Sequence, residues 1–224
     1  MLGPYRATNW ERKSSLVARM GDAMTADAPS PVGAGTRIRR RGKALEQAIF
    51  DAVIEQLAHV GYAGLTMDSV AATAHTGKAT IYRRWSNKAE LVVDALDNTL
   101  PSPDELPEGD SVREDLIELM REKATVLNSP VGRAVQSLLA EIDRDRPFMG
   151  IVIDRVVAPR QDVFWRILER GAERGEVREG SISPLVVGIG PAMMVQRFLS
   201  DPSPVPDELL VSVVDDLILP LIRP

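Results

Sequence analysis

Apolar positions in this chain recur every three or four residues from about residue 42 to the end, and nowhere alternate with polar ones as a half-buried strand would require. The spacing predicts helices over 42–59, 67–74, 78–84, 87–99, 111–127, 130–143, 145–174, 183–199 and 206–221. The first aligns Ala44, Ala48, Ile49, Ala52, Val53 and Leu57 and stops at Gly61-Tyr62-Ala63-Gly64. Pro101, Pro103 and Pro107 end the fourth and make a loop. Ser129-Pro130, Asp145-Arg146-Pro147 and Ser183-Pro184 open helices, because Ser or Asp caps the free N–H groups and proline suits the first turn. A bend is expected near Pro159 and a kink or loosening at Gly190-Pro191. The result is an all-α chain of about nine helices.

Two of these helices are short and adjacent. Thr66 can cap the first, with Asp68 in the first turn where the helix dipole favours a negative charge. Val70, Ala71 and Ala74 share a face, and His75-Thr76-Gly77 breaks the pattern. Gly77 caps the second, in which Ile81 and Trp85, four apart, bury together. Lys78, Thr80, Arg83 and Arg84 are left outward. A compact helix, a tight break and a second helix ending in basic and aromatic side chains is a means of placing a helix in the DNA major groove.

Charge supports this reading. The chain of 224 residues has net charge −5, but residues 37–90 hold nine Lys/Arg against five acids and residues 91–224 hold 14 against 24. A basic amino-terminal module on an acidic body suits DNA binding at one end. Arg39, Arg40 and Arg41 form a basic arm for phosphate or minor-groove contact. Residues 1–36, rich in Gly, Ala, Pro and Ser, are expected to be a flexible extension, with Met20 and Met24 as nearby alternative starts. The absence of Cys fits a reducing cytoplasm. No apolar run approaches the ~18–20 residues of a membrane span, and no signal-peptide core is visible.

The run Leu65-Thr66, Val70-Ala71, Ala74, Lys78-Ala79-Thr80-Ile81-Tyr82-Arg83-Arg84-Trp85, Lys88 and Glu90-Leu91 resembles the DNA-binding domain of TetR-type transcriptional regulators, over residues 40–98. The resemblance implies a three-helix helix-turn-helix domain (37–98) followed by a helical effector-binding and dimerisation domain (99–224). It implies that Thr66, Tyr82 and Lys88 touch phosphates and that Lys78, Thr80 and Arg83 face base edges. The family usually has Gly where this chain has His75.

Two apolar helices close the chain. The family pairs its last two helices into a four-helix homodimer interface, which here assigns Val187, Met194, Phe198, Leu210, Val214, Leu217 and Ile218 to the contact. A two-fold pair reads half-sites ~34–36 Å apart. The helices between would enclose a cavity for a small hydrophobic effector, with Met120, Leu138, Phe148, Val152, Phe164, Trp165, Leu168 and Met193 as lining. The expected protein is a repressor released from a double-stranded operator by that ligand, with no cofactor, metal or membrane. Two rivals remain. An enzyme is opposed by the chain's two histidines, His59 and His75, which lie near no Ser, carboxylate pair or zinc spacing. An effector-blind DNA binder would use its second half only to dimerise.

Overall fold

The computed structural model describes residues 42–139, 141, 144–201 and 203–224. Among these the fold is all-α. The chain runs α1 (Lys43–Gly64), α2 (Met67–Thr73), α3 (Lys78–Tyr82), α4 (Lys88–Thr99), α5 (Val112–Leu127), α6 (Pro130–Leu139), α7 (Arg146–Val152), α8 (Ala158–Glu173), α9 (Pro184–Ser200), α10 (Asp207–Ser212) and α11 (Leu219–Ile222). A π-helical turn, Ile153–Val157, joins α7 to α8, and another, Val213–Ile218, joins α10 to α11. Counting each joined pair once gives nine helical rods among the described residues, as the periodicity predicts. The basic arm Arg39–Arg41 and the extension 1–36 lie outside the described residues.

Both π turns precede a proline, Pro159 in α8 and Pro220 in α11. In an α-helix a proline ring strikes the carbonyl four residues back, and a wider turn relieves that contact. At Gly190-Pro191, where a kink or loosening is expected, α9 continues as α-helix with Pro191 inside it. α1 breaks instead at Gly61, whose φ of 69° favours glycine.

The chain divides into two compact units. The first comprises the described residues up to Thr99 together with Ser129–Leu138, and the second comprises Leu100–Asn128 with the described residues from 139 on. In the first, α1 supplies Ile49, Val53, Ile54 and Leu57 to the core, α2 supplies Val70 and Ala71, and α4 supplies Leu91, Val92 and Leu96. In the second, α5, α8, α9 and the α10–α11 rod enclose a cluster around Met120, Phe164, Ile167, Leu168 and Val214.

A proline-rich loop, residues 100–111, leads into α5. Its carbonyls are held by arginines of α8: Arg160 donates from Nε to Pro101 at 3.0 Å, while Arg166 and Arg170 donate to Pro103 and Pro107. The Asp115 carboxylate, fully buried at the start of α5, accepts from the Gly109 N–H at 2.7 Å and pairs with Arg170 at 2.7 Å and Arg174 at 3.1 Å. Charge-assisted bonds of this kind satisfy a carboxylate that burial alone would penalise heavily.

Candidate nucleic-acid interface

α2 begins as its sequence predicts. Thr66 is extended, its Oγ1 accepts from the Ser69 N–H at 3.0 Å, and the Ser69 hydroxyl accepts from the Thr66 N–H at 3.1 Å. Each side chain thus satisfies the other's backbone, a capping box with Ser in the third position. The helix ends in a left-handed residue, His75, at φ 52°. The Thr76 N–H bonds to Ala71 O at 2.9 Å and the His75 N–H to Ala72 O at 3.1 Å, the paired bonds of a Schellman end. His75 therefore occupies a conformation that a glycine adopts without strain.

α3 is five residues long and opens at Gly77 without a side-chain cap. Its inward face is fixed by Ile81, fully buried, and by Trp85 just beyond its end. The Trp85 indole packs edge-on against Phe50 at 5.8 Å and donates to Asp94 at 2.9 Å. With these two side chains locked inward, Lys78, Ala79, Tyr82 and Arg83 stand outward. Tyr82 is 53% exposed.

The basic side chains differ in availability. Arg84 is turned to Glu46 of α1 at 2.9 Å. Lys88 is half-buried, lies 4.1 Å over the Tyr62 ring and donates to Tyr62 O at 2.8 Å. Lys78 pairs with Asp68 of α2 at 2.5 Å, and that hydrogen bond raises its pKa above the ordinary lysine value. Arg83 is exposed and has no ion-pair partner among the described residues. Thr80 is half-buried beside it.

The residues expected to line an effector cavity fall in different parts of the fold. Met120, Phe164 and Leu168 are buried in the second unit's core, with Met193 packed at its margin. α9 approaches two of them closely at Gly190, where a Cβ would stand 3.1 Å from the Phe164 ring and 3.5 Å from Met120 Sδ. Leu138 is buried on α6, in the first unit, and Phe148 and Val152 are buried on α7 outside that cluster. Trp165 is a correction. It is half-buried on the outer side of α8, donates from Nε1 to Glu169 at 2.8 Å and lines a solvent-open hollow. One residue of helix rotates a side chain by about 100°, and the buried stripe of α8 runs through Val163, Phe164, Ile167 and Leu168, which leaves Trp165 at its outer edge.

Sequence reasoning passed over Lys123. It falls in line with Leu116, Leu119, Met120 and Leu127, so a lysine on an apolar stripe was the available signal. Its ammonium lies 5.5 Å over the Phe164 ring and donates to Arg160 O at 3.3 Å. Burial pushes its pKa down to about 8, against the pull of Glu122. Burial likewise pushes the Glu122 carboxyl up to about 7, with Lys123 opposing and Glu105 and Glu118 adding to the rise.

The assignment of interface residues also needs correction. Met194, Leu210, Val214 and Ile218 are buried inside the chain's own second unit, while Val187 and Phe198 are half-buried. On these last two rods the large apolar side chains left in solvent are Leu185, Val195 and Leu199 of α9, and Leu217 and Leu221 of the final one. Leu185 is 80% and Leu199 53% exposed. Of the expected set, Leu217 alone stands fully outward.

An all-α chain with a capped two-helix reading head and an apolar carboxy-terminal stripe defines a helix-turn-helix regulator. Comparison with known proteins agrees. Residues 49–95 match the family described as bacterial regulatory proteins, tetR family, and residues 106–217 match the tetracyclin repressor-like C-terminal domain. A DNA-binding transcriptional repressor TetR of Mycobacteroides abscessus is 35% identical over 188 residues, covering 82% of this chain and 97% of its own. Among solved structures, the TetR family transcription regulator SCO0332 superposes with TM-score 0.64 at 25% identity, covering 80% of this chain and 99% of its own. FadR of Bacillus subtilis, solved with stearoyl-CoA, superposes with TM-score 0.60 at 17% identity, covering 78% and 96%. The chain belongs to the TetR family of transcriptional regulators. Among the described residues no helix is long and apolar enough to cross a membrane, and no cluster of His, Cys, Asp or Glu could hold a metal ion.

Proposed function

We propose that the protein is a homodimeric repressor that reads a double-stranded operator through α2 and α3 and releases it when a small hydrophobic ligand binds its second half. Residues 37–98 are assigned to DNA binding and residues 99–224 to effector binding and dimerisation. The observation that carries the DNA role is the outward face of α3: Tyr82 exposed, and Arg83 beside it without an ion-pair partner among the described residues. Arg83, Lys78 and Thr80 read base edges. Tyr82, Thr66, Lys88 and the arm Arg39–Arg41 hold phosphates, Lys88 from its seat on Tyr62. The exposed stripe from Leu185 to Leu199, with Leu217 and Leu221, meets its two-fold copy. A pair is needed because one short helix reads only a few base pairs.

The effector acts by preferring a dimer with wrongly spaced heads, and weakens DNA binding only by that preference, about 1–3 kcal/mol in systems of this kind. Methionines adapt readily to a ligand, so Met120 and Met193 beside Phe164 are the proposed point of entry. Lys123 is placed to meet an acidic end. The FadR fold relative was solved with an acyl-CoA, which supports a ligand with an apolar chain. The close approach of α9 at Gly190 favours a second reading, in which this half only dimerises.

Selection of binding sites from random duplex DNA by the full chain, repeated with fatty acyl ligands, separates these readings. A palindromic site weakened by a ligand supports the first reading. A palindromic site indifferent to every ligand supports the second, and the absence of any preferred sequence overturns both. In the same assay Arg83→Ala costs about 1–3 kcal/mol and relaxes the sequence preference.

A further inference from the structure

The outer hollow of the second unit has a chemistry of its own. It measures about 390 Å³ and is walled by Pro103 and Asp104 of the proline-rich loop and by Pro159, Asp162, Trp165 and Arg166 of α8. That size lies within the roughly 300–1,000 Å³ of small-molecule sites. The Trp165 indole is fixed by its bond to Glu169. The Asp104 and Asp162 carboxylates have no hydrogen-bond or ion-pair partner among the described residues. Arg166, the cation in the same wall, is turned to the Pro103 carbonyl and pairs with neither aspartate. Two carboxylates against one guanidinium leave the wall net negative, and beside an aromatic face it attracts a cation through both charge and ring quadrupole. The two proline rings add apolar wall.

We propose that this hollow binds an organic ammonium ion, its charged nitrogen between Asp104 and Asp162 and its apolar body against Trp165 and the prolines. The loop supplies two of the contacts and α8 the rest. The bound ion therefore bridges loop and helix, adding to the ties that Arg160, Arg166 and Arg170 already make there. The site stands apart from Phe164 and Met120, which are core, and does not depend on the effector reading above.

The test is a titration of the full chain at neutral pH with benzylamine, protonated there, against benzyl alcohol, a neutral molecule of similar size. The Trp165 indole N–H resonance reports binding, and calorimetry confirms it. Saturable binding of the ammonium is expected, with the alcohol at least about tenfold weaker. Asp104→Asn and Asp162→Asn, both at exposed positions, are each expected to weaken the ammonium by about threefold or more without moving the thermal midpoint. Equal affinity for the two probes, unchanged binding in the Asp104→Asn/Asp162→Asn double variant, or no saturation by the ammonium overturns the proposal. None of those results would bear on operator reading, so its failure is separable.

Discussion

The two units dispose of their apolar residues differently. In the reading head, α2 and α3 each have one apolar face, and it is buried: Val70, Ala71 and Ala74 in one, Ile81 in the other. In the second unit, α9 and the last rod are apolar on more than one side. Val186, Gly190 and Met194 turn inward on α9 while Leu185, Val195 and Leu199 stay in solvent. Ile218 and Ile222 turn inward on the last rod while Leu217 and Leu221 do not. A helix with a polar back needs nothing beyond its own core. A helix apolar all round has a surplus face that calls for another surface.

The sharpest way to break this comparison is to place one charge on each side of the same pair of helices. Ile218→Asp buries an unpaired carboxylate and should cost more than about 4 kcal/mol, so the chain fails to fold. Leu199→Asp should leave protomer stability within about 0.5 kcal/mol and shift sedimentation to the monomer. Equal loss of fold in both would erase the distinction between the faces. Next in size, Asp115→Ala strips Arg170, Arg174 and the Gly109 N–H of their shared acceptor and should lower unfolding free energy by about 3 kcal/mol in urea titration.

A smaller effect concerns two half-buried charges of the second unit. Glu122 has a folded pKa raised from 4.5 to about 7, so its contribution is whole below 4.5 and lost as pH rises through 7. Lys123 has one lowered from 10.5 to about 8, so its contribution is whole above 10.5 and lost as pH falls through 8. Stability should therefore be depressed between pH 7 and 8. Glu122→Gln should exceed the parent by about 2 kcal/mol at pH 8 and match it below pH 4.5, read from urea midpoints. Smallest is His75→Gly in the reading head, expected to gain about 0.5 kcal/mol: relief of the left-handed strain is partly offset by a looser unfolded chain.

Legibility in the sequence followed the same divide. The helices were readable almost to the residue where a cap marked them, as at Thr66, Asp145 and Ser183, whose side chains each accept a first-turn N–H. The inward positions Ile81 and Trp85 followed from four-residue spacing alone. Which cations stay free did not, because Arg84 meets Glu46 across 38 residues and Lys88 meets Tyr62 across 26, separations invisible to periodicity. In the second unit hydrophobicity ranked Met194 and Ile218 as contact residues when it marked them as core. The two π turns each precede a proline that the sequence displays, but Pro191 shows that a proline alone does not decide the outcome.

The Lys78–Asp68 pair has a consequence for how tightness should vary with ionic strength. Its ammonium already carries a carboxylate, so a nucleic acid arriving there exchanges one acceptor for another and leaves Asp68 to be rehydrated or repelled. Such a site displaces fewer condensed counterions from the duplex than its formal charge suggests. The logarithmic salt slope should fall short of a tally of lysines and arginines on the reading face, with Arg83 contributing more than Lys78.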